Sequence, residues 1–380
     1  MIKELTTRHL LVRSGGRCAL CYGELLVSGF TQKALYRGER AHIVGRSIHD
    51  RSPRGDDDLP LESRDDPDNL LLLCSSCHSE IDAPQNLNAF TVERLRELKE
   101  RHESRIAQIL GVPPGYDTAV LRMHGMIGDS NVALDRSAAA AAVLAQGRSA
   151  RFPLSHDSAG IEIDLRRALS PNIGDREYYD TCRQTIDLIL NRQVAPAVED
   201  GALGHVSVFA LARWPLLVYL GARLGDKLDV DIYQRHRASE SWAWPADSRE
   251  HRFSFEVVRK GEPLDDAVLV LSMSAAVHVQ EVPRSLESCR LYRVIPAGDC
   301  TPHADIVDSI ATLKSAESAL RDVFADIEQH HKTTSRLHVL GAAPLSVCLT
   351  LGRIANREIH PQLVLHDRVN GQYQPAMEIN

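Results

Sequence analysis

The sequence is poor in aromatic residues, has no long apolar run and carries no surplus of positive charge. Only 5% of the 380 residues are Phe, Trp or Tyr. A local cluster of such residues in so sparse a background calls for a local reason. No uninterrupted apolar stretch approaches the roughly 18 residues that would span a bilayer. Met1–Arg13 also lacks an apolar core of the kind that marks a secretory signal. The expectation is a cytoplasmic chain with no membrane partner. The formal charge is −7. Residues 1–110 hold 16 Lys and Arg against 17 Asp and Glu, and the remainder holds 28 against 34. Neither part reads as a basic module that wraps nucleic acid, so any phosphate contacts must come from local clusters. At this length two or three domains are expected, with room for real cores.

Eight cysteines are present. Four fall in two Cys-x-x-Cys pairs, Cys18/Cys21 and Cys74/Cys77, and four are scattered (Cys182, Cys289, Cys300, Cys348). That pattern suits a reducing compartment with metal-bound rather than bridged thiols. Two short knuckles far apart in sequence can deliver four sulfurs to one point, which predicts one tetrahedral Zn2+ site. Four thiolates leave no open position for water, so this zinc is expected to be structural.

Chemistry is suggested by what the knuckles bracket. Glu39-Arg40-Ala41-His42-Ile43-Val44 reads as a short strand, and Asn69-Leu70-Leu71-Leu72-Leu73 as a second apolar run too short for a helix. A helix is expected to begin around Ser75, with Ser75 as its N-cap, and to carry His78 and Asp82 four residues apart on one face. One imidazole and one carboxylate there suit a divalent ion with open positions. Arg37, Arg40, Arg46, Arg51 and Arg54 crowd the segment around His42 and are the candidates for phosphate contacts. Asp56-Asp57-Asp58 reads as a solvated loop.

The order His42, Asn69, His78 resembles the HNH nuclease family, whose core is a β-hairpin and one helix gripping a divalent ion. The resemblance implies His42 as the general base, Asn69 as the residue that orients it across the hairpin, and His78 and Asp82 as ligands of a catalytic Mg2+. Many members of that family place an acidic or histidine ligand directly before the base, where this chain has Ala41. Glu39, two residues earlier, is the candidate replacement ligand.

Beyond the second knuckle, Phe90–Leu110 reads as a helix capped by Thr91, with Val92, Leu95, Leu98, Ile106, Ile109 and Leu110 as its apolar face. Gly111-Val112-Pro113-Pro114-Gly115 stops it. The expected organisation is a first domain over 1–112, a connecting arm over 113–165 that includes the alanine-rich Ala138–Ala142, and a second domain over 166–380.

The second domain contains an internal echo. His205–Ala212, Pro215, Leu220-Gly221-Ala222-Arg223 and Val230–Arg235 are answered by Leu337–Ala343, Pro344, Leu351-Gly352-Arg353 and Leu363–Arg368. Each copy reads as strand, proline-opened helix, glycine, strand, and such junctions point backbone N–H groups outward and suit phosphates. Ala267–Met273 reads as a further buried strand of a parallel α/β sheet.

Phe209–Leu217, Tyr233–Arg237, Trp242-Ala243-Trp244, Ala343–Ser346 and Leu351-Gly352-Arg353 together resemble a SAVED domain, a sensor of two fused CARF-like, Rossmann-related halves that binds cyclic oligonucleotides. The fold class expected is therefore a zinc-stabilised ββα-metal (HNH) domain of α+β type followed by an α/β SAVED domain. The combination is similar to the HNH–SAVED effectors of bacterial anti-phage signalling (CBASS). That resemblance implies a cyclic di- or oligonucleotide that promotes homo-oligomerisation, a dimer or higher assembly, and switches on cleavage of double-stranded DNA. Tyr233, Trp242 and Trp244 offer flat surfaces for bases, Arg235, His236 and Arg237 can meet phosphates, and Pro344 and Arg368 complete the expected ligand set. Two other classes fit parts of the sequence. One is a restriction-type endonuclease with a DNA-reading second half, which the acidic charge there disfavours; the other is a non-catalytic zinc scaffold.

Overall fold

The structure, a computed structural model, describes residues 2–28, 31–48, 52–112, 116–127, 130–131, 134–151, 160–166, 174–261 and 265–379. The readings made for Arg51 and for Pro113, Pro114 and Gly115 lie outside them. The chain divides into two compact units, Met1–Pro113 and Pro114–Asn380.

The first unit is built on a two-stranded hairpin. Strands β1 (Gly38–His42) and β2 (Leu70–Cys74) pair antiparallel with His42 opposite Leu70 and Gly38 opposite Cys74. All four leucines of β2 are buried, so both of its faces are covered and the run reads as continuous rather than alternating. Leu71–Leu73 pack with Ala41, Ile43, Val44 and Ile81 around the buried Cys18 and Cys77. Helix α1 (Glu4–Arg13) precedes the hairpin, and α2 (Ser75–Asp82) and α3 (Val92–Leu110) follow it. The cap of α2 is Cys74 rather than the expected Ser75. The chain is still extended at Cys74, and its Sγ accepts the N–H of Cys77 at 3.5 Å. Thr91 caps α3 as expected, its Oγ1 accepting the Arg94 N–H at 3.3 Å. Ile109 and Leu110, expected on the apolar face of α3, are 46% and 69% exposed, because the last turn of the helix extends past the core.

The second unit holds two sheets. The first is parallel throughout: β3 (Asp117–His124) lies between β8 (His205–Leu211) on one side and the short β6 (Ser149–Arg151) and β7 (Ile161–Asp164) on the other. Strand β9 (Asp229–Ile232) follows β8. A two-residue ladder, β4 (Met126–Ile127) with β5 (Ser130–Asn131), extends from β3. Helices α4 (Arg136–Ala145), α5 (Arg176–Ile189), α6 (Ala195–Glu199) and α7 (Trp214–Leu224) connect these strands. The stretch expected to be a connecting arm thus supplies β3 to the interior of a sheet. Arg122 and His124 interrupt its apolar run, which hid it from an apolar-run reading, yet both are buried.

The second sheet has the order β10 (Phe253–Arg259), β12 (Arg290–Pro296), β11 (Asp266–Ser272), β13 (Arg336–Ala342), β14 (Gln362–Val369), β15 (Gln372–Ile379). Its four central strands are parallel and its edges antiparallel. The expected buried strand at Ala267–Met273 is β11. Helix α8 (Ile310–His330) leads into β13, and α9 (Leu345–Ile354) joins β13 to β14. The two echoing stretches are therefore β8–α7–β9 and β13–α9–β14. Gly221 and Gly352, expected after the helices, lie inside α7 and α9 where these two helices pack on each other.

Candidate functional site

The four knuckle sulfurs, from Cys18, Cys21, Cys74 and Cys77, all lie within 4.8 Å of one another. Cys21 Sγ and Cys74 Sγ are 3.9 Å apart, against an edge of about 3.8 Å for a tetrahedral zinc–thiolate site. The donor set fits Zn2+ and closes it off. Burial works against the Cys74 thiolate, but the N–H of Cys77 and the neighbouring sulfurs outweigh it and hold that thiol below its ordinary value.

His42 ends β1 and is half-buried. Its Nε2 lies 3.0 Å from Asp65 Oδ1, and Arg46 approaches the other oxygen of that carboxylate at 3.5 Å. The His42 contact, more than the Arg46 charge, holds the Asp65 carboxyl below the usual range. Asp65 was not foreseen: it sits in the acidic loop Asp65-Asp66-Pro67-Asp68, where nothing in the spacing separates it from a solvated turn. Asn69 is buried and works as a clamp. Its Oδ1 accepts the Val44 N–H at 2.9 Å, its Nδ2 donates to Val44 O at 3.0 Å and Arg64 O at 2.9 Å, and its carbonyl accepts the Ile43 N–H at 2.9 Å. These bonds fix the backbone immediately after His42 and the loop that carries Asp65.

His78 and Asp82 share a face of α2, with Nε2 3.3 Å from Asp82 Oδ2. That spacing is close to the edge, about 3.0 Å, of an octahedron with ligands at about 2.1 Å, so the pair fits two positions of one Mg2+. Glu39 takes the other ring nitrogen, its Oε2 lying 2.7 Å from His78 Nδ1. The expectation of Glu39 as a ligand is corrected by this geometry. Its carboxylate faces the far side of the imidazole, where it orients the ring, as carboxylates behind metal-bound histidines do. Asp82, followed by Glu39, raises the His78 pKa against the effect of burial.

Arg54 also departs from expectation. By sequence it is a candidate phosphate contact, but its side chain is buried. It donates to Ile43 O at 2.7 Å, Ile81 O at 2.8 Å and Asp82 Oδ1 at 2.5 Å, tying the end of β1 to the end of α2. Burial alone would raise Asp82; His78 and Arg54 together hold it down. Arg37 donates to Glu24 O and Val27 O, and Arg40 donates to Thr7 Oγ1. Arg46 approaches Asp65 at 3.5 Å with its side chain 60% exposed.

In the second unit the expected ligand set separates into two groups. Tyr233 and Trp242, 1% and 3% exposed, are core residues. Tyr233 stacks on Phe209 at 4.2 Å and Trp242 meets the edge of the same ring at 5.3 Å. The aromatic cluster is real, but these two members fill the interior, where the three rings cover one another's faces and edges. Trp244 is half-buried and lies edge-on to His236 at 5.3 Å. His236 is buried with Nε2 lacking a hydrogen-bond partner among the described residues, and burial lowers its pKa. Arg235 lies 3.8 Å from Glu240, Arg237 is exposed, and Arg368 pairs with Glu281 at 3.1 Å. Pro344 is the N-cap of α9.

The start of α9 is not an empty cradle. Ser346 N–H donates to Gln234 Oε1 at 3.1 Å, and Arg213 at the start of α7 reaches Asp367 at 2.5 Å. Both contacts cross from one echoing half to the other. A cavity of about 280 Å³ opens between the halves, lined among others by Tyr233 and Trp244 from the first and Thr350 and Arg353 from the second.

A ββα hairpin with a histidine at its end, an asparagine clamp and a zinc knuckle defines an endonuclease-like first unit, and residues 18–85 match the family described as HNH endonuclease. Residues 189–379 match the family described as SMODS-associated and fused to various effectors sensor domain, SAVED. The chain belongs to the SAVED family, with an HNH endonuclease domain as its fused effector. Among solved structures it is similar to the Acinetobacter baumannii Cap4 SAVED/CARF-domain containing receptor with the cyclic trinucleotide 2'3'3'-cAAA. Identity is 14% over 80% of this chain and 62% of that one, with a TM-score of 0.45. The Moraxella osloensis Cap4 SAVED/CARF-domain containing receptor gives 14% over 78% and 59%, with a TM-score of 0.44. The chain thus spans less than two thirds of the length of these structures. No curated protein matches the sequence. Among the described residues no helix is long and apolar enough to cross a membrane.

Proposed function

We propose that this chain is a cyclic-oligonucleotide-activated DNA endonuclease, an effector of CBASS-type anti-phage signalling in the cytoplasm. The observation that carries the reading is the His42–Asp65 contact beside the Asn69 clamp, in a chain whose other half belongs to a sensor family. An ionised carboxylate can only accept, so Asp65 draws the imidazole proton to Nε2 and leaves the lone pair on Nδ1. His42 Nδ1 then takes the proton of the water that attacks the scissile phosphorus. Asn69 keeps His42 from turning away. His78 and Asp82 would hold Mg2+, with Glu39 orienting His78 and Arg54 fixing Asp82. A divalent ion at that pair would supply stabilisation of charge on the phosphate and the departing oxygen. Arg46, exposed beside Asp65, meets the substrate backbone.

In the sensor, Trp244, His236, Arg235 and Arg237 form the ligand edge, with Pro344 and Arg368 contributing from the other half. A ligand activates only by binding one conformation or assembly better than another. Here the bound nucleotide favours a homo-oligomer that engages duplex DNA. The test is purified protein with plasmid and Mg2+, with and without a panel of cyclic di- and trinucleotides. Nucleotide-dependent double-strand cutting is expected. Cutting at one sequence without any nucleotide would instead mark a restriction-type enzyme. His42→Ala should lower cutting about 100-fold or more while leaving the nucleotide-induced thermal shift intact.

A further inference from the structure

Outside both of these sites, three metal-type donors converge in the second unit. His251 lies just before β10, and Cys300 and His303 lie in the loop between β12 and α8; their donor atoms all fall within 4.8 Å of one another. His251 Nδ1 is 3.5 Å from Cys300 Sγ. A tetrahedral ion with nitrogen at about 2.05 Å and sulfur at about 2.3 Å would separate two such donors by about 3.6 Å. The His251 and His303 rings meet edge-on with centroids 5.7 Å apart.

The surrounding fold also holds the segments that carry these donors. His251 N–H donates to Thr312 Oγ1 of α8 at 3.0 Å, and Phe253 N–H two residues on donates to Ser315 Oγ at 3.0 Å. Across the loop, Ala297 N–H donates to Arg252 O at 2.7 Å, and Ile306 N–H donates to His303 O at 3.2 Å. A preformed set of two imidazoles and one thiol suits a borderline-soft ion. Carboxylates, which would favour Mg2+ or Ca2+, are not part of this set.

We propose that His251, Cys300 and His303 form a second zinc site, distinct from the four-cysteine site, with its fourth position open to solvent or to a ligand. Three protein ligands with one open position leave room for a water or an outside ligand on the ion. The loop it fastens also carries Asp305 and Asp308, which accept the N–H groups of Arg237 and Arg249 at 3.1 and 3.2 Å. Zinc at this position therefore pins the loop on which the Arg235–Arg237 segment rests.

The experiment uses the full chain, dialysed against Zn2+ and then against metal-free buffer, with bound zinc counted by mass spectrometry of the metal. Two equivalents per chain are expected, falling to one in Cys300→Ser and in His251→Ala. Wild-type protein holding one equivalent, or variants that keep both, would overturn the site. Because substitution at the half-buried His251 can disturb folding, the wild-type chain provides a second reading. Alkylation of Cys300, followed by peptide mapping, should slow at least tenfold on adding Zn2+. An unchanged rate would count against the proposal as firmly as the stoichiometry, and neither result depends on nuclease activity.

Discussion

Gly221 of α7 and Gly352 of α9 sit at a helix crossing so close that neither position has room for a side chain. A Cβ on Gly221 would lie 2.1 Å from the carbonyl oxygen of Leu349, and one on Gly352 would lie 1.9 Å from that of Val218. Val218 and Leu349, like the two glycines, are equivalent members of the two echoing halves, so the crossing is a pseudo-twofold contact. Alanine is favoured over glycine inside a helix by about 1 kcal/mol. Forcing the two backbones apart costs on the order of 1–3 kcal/mol or more, and at these distances the clash should win. Gly221→Ala and Gly352→Ala are each expected to destabilise the second unit by roughly 2 kcal/mol, read as a lowered urea midpoint. A shift of under about 0.5 kcal/mol would show that the helices can part freely.

Asp65 yields a prediction that separates positioning from folding. Asp65→Asn keeps the shape but can present an N–H to His42 Nε2, which moves the imidazole proton to Nδ1 and removes the lone pair proposed to act as base. Plasmid cutting should fall by roughly 100-fold or more, with the thermal midpoint little changed because the pair is partly exposed. Full activity in this variant would mean that Asp65 does not orient His42.

The two sensor tryptophans should behave differently. Trp242 is packed against Phe209 in the core, so Trp242→Ala should cost about 3–5 kcal/mol of stability. Trp244 is half-buried beside the cavity between the halves, and Trp244→Ala should cost much less stability while weakening nucleotide binding at least about tenfold. Isothermal titration on the folded fraction measures the second effect. Equal affinities for wild type and Trp244→Ala would remove this residue from the ligand edge.

Stability of the second unit should fall in mild acid. His366, buried on β14, has Nε2 2.9 Å from His338 Nδ1, and Asp266 Oδ2 lies 3.8 Å from His338 Nε2. Burial first, then the neighbouring His338, pushes the His366 pKa down to about 4 from an ordinary 6.5. The folded state therefore holds His366 neutral where the unfolded chain would protonate it. Its contribution is complete above about pH 6.5 and is lost progressively as pH falls toward about 4, on the order of 3 kcal/mol in all. Urea midpoints near pH 7 and near pH 5 should differ accordingly, and His366→Gln should flatten the dependence. A wild-type midpoint that does not change over this range would show that His366 takes up its proton in the fold as readily as in the unfolded chain.

Several parts of this protein were legible in the residue order, because each rests on a short-range rule. The four cysteines announce a shared ion through knuckle spacing. Asn69 and His78 follow the hairpin-and-helix pattern, and the two proline-opened helices repeat at nearly constant spacing. Helical periodicity likewise places His78 and Asp82 on one face without knowledge of the rest of the chain. These are local facts, and local physics is enough to set them.

The tertiary structure decided what each side chain meets. Burial turned Tyr233 and Trp242 into core residues and Arg54 into a strut, although their sequence neighbourhoods gave no sign of it. Register across the hairpin put Glu39 behind His78 instead of beside Asp82, and a loop of acidic residues supplied Asp65 to His42. Strand β3 was hidden because Arg122, which breaks its apolar run, meets Leu134 O and Glu162 only once the chain has folded. The His251–Cys300–His303 cluster joins residues nearly fifty positions apart that no motif connects. In each case the deciding quantity is a distance between segments remote in sequence, and only the folded chain sets it.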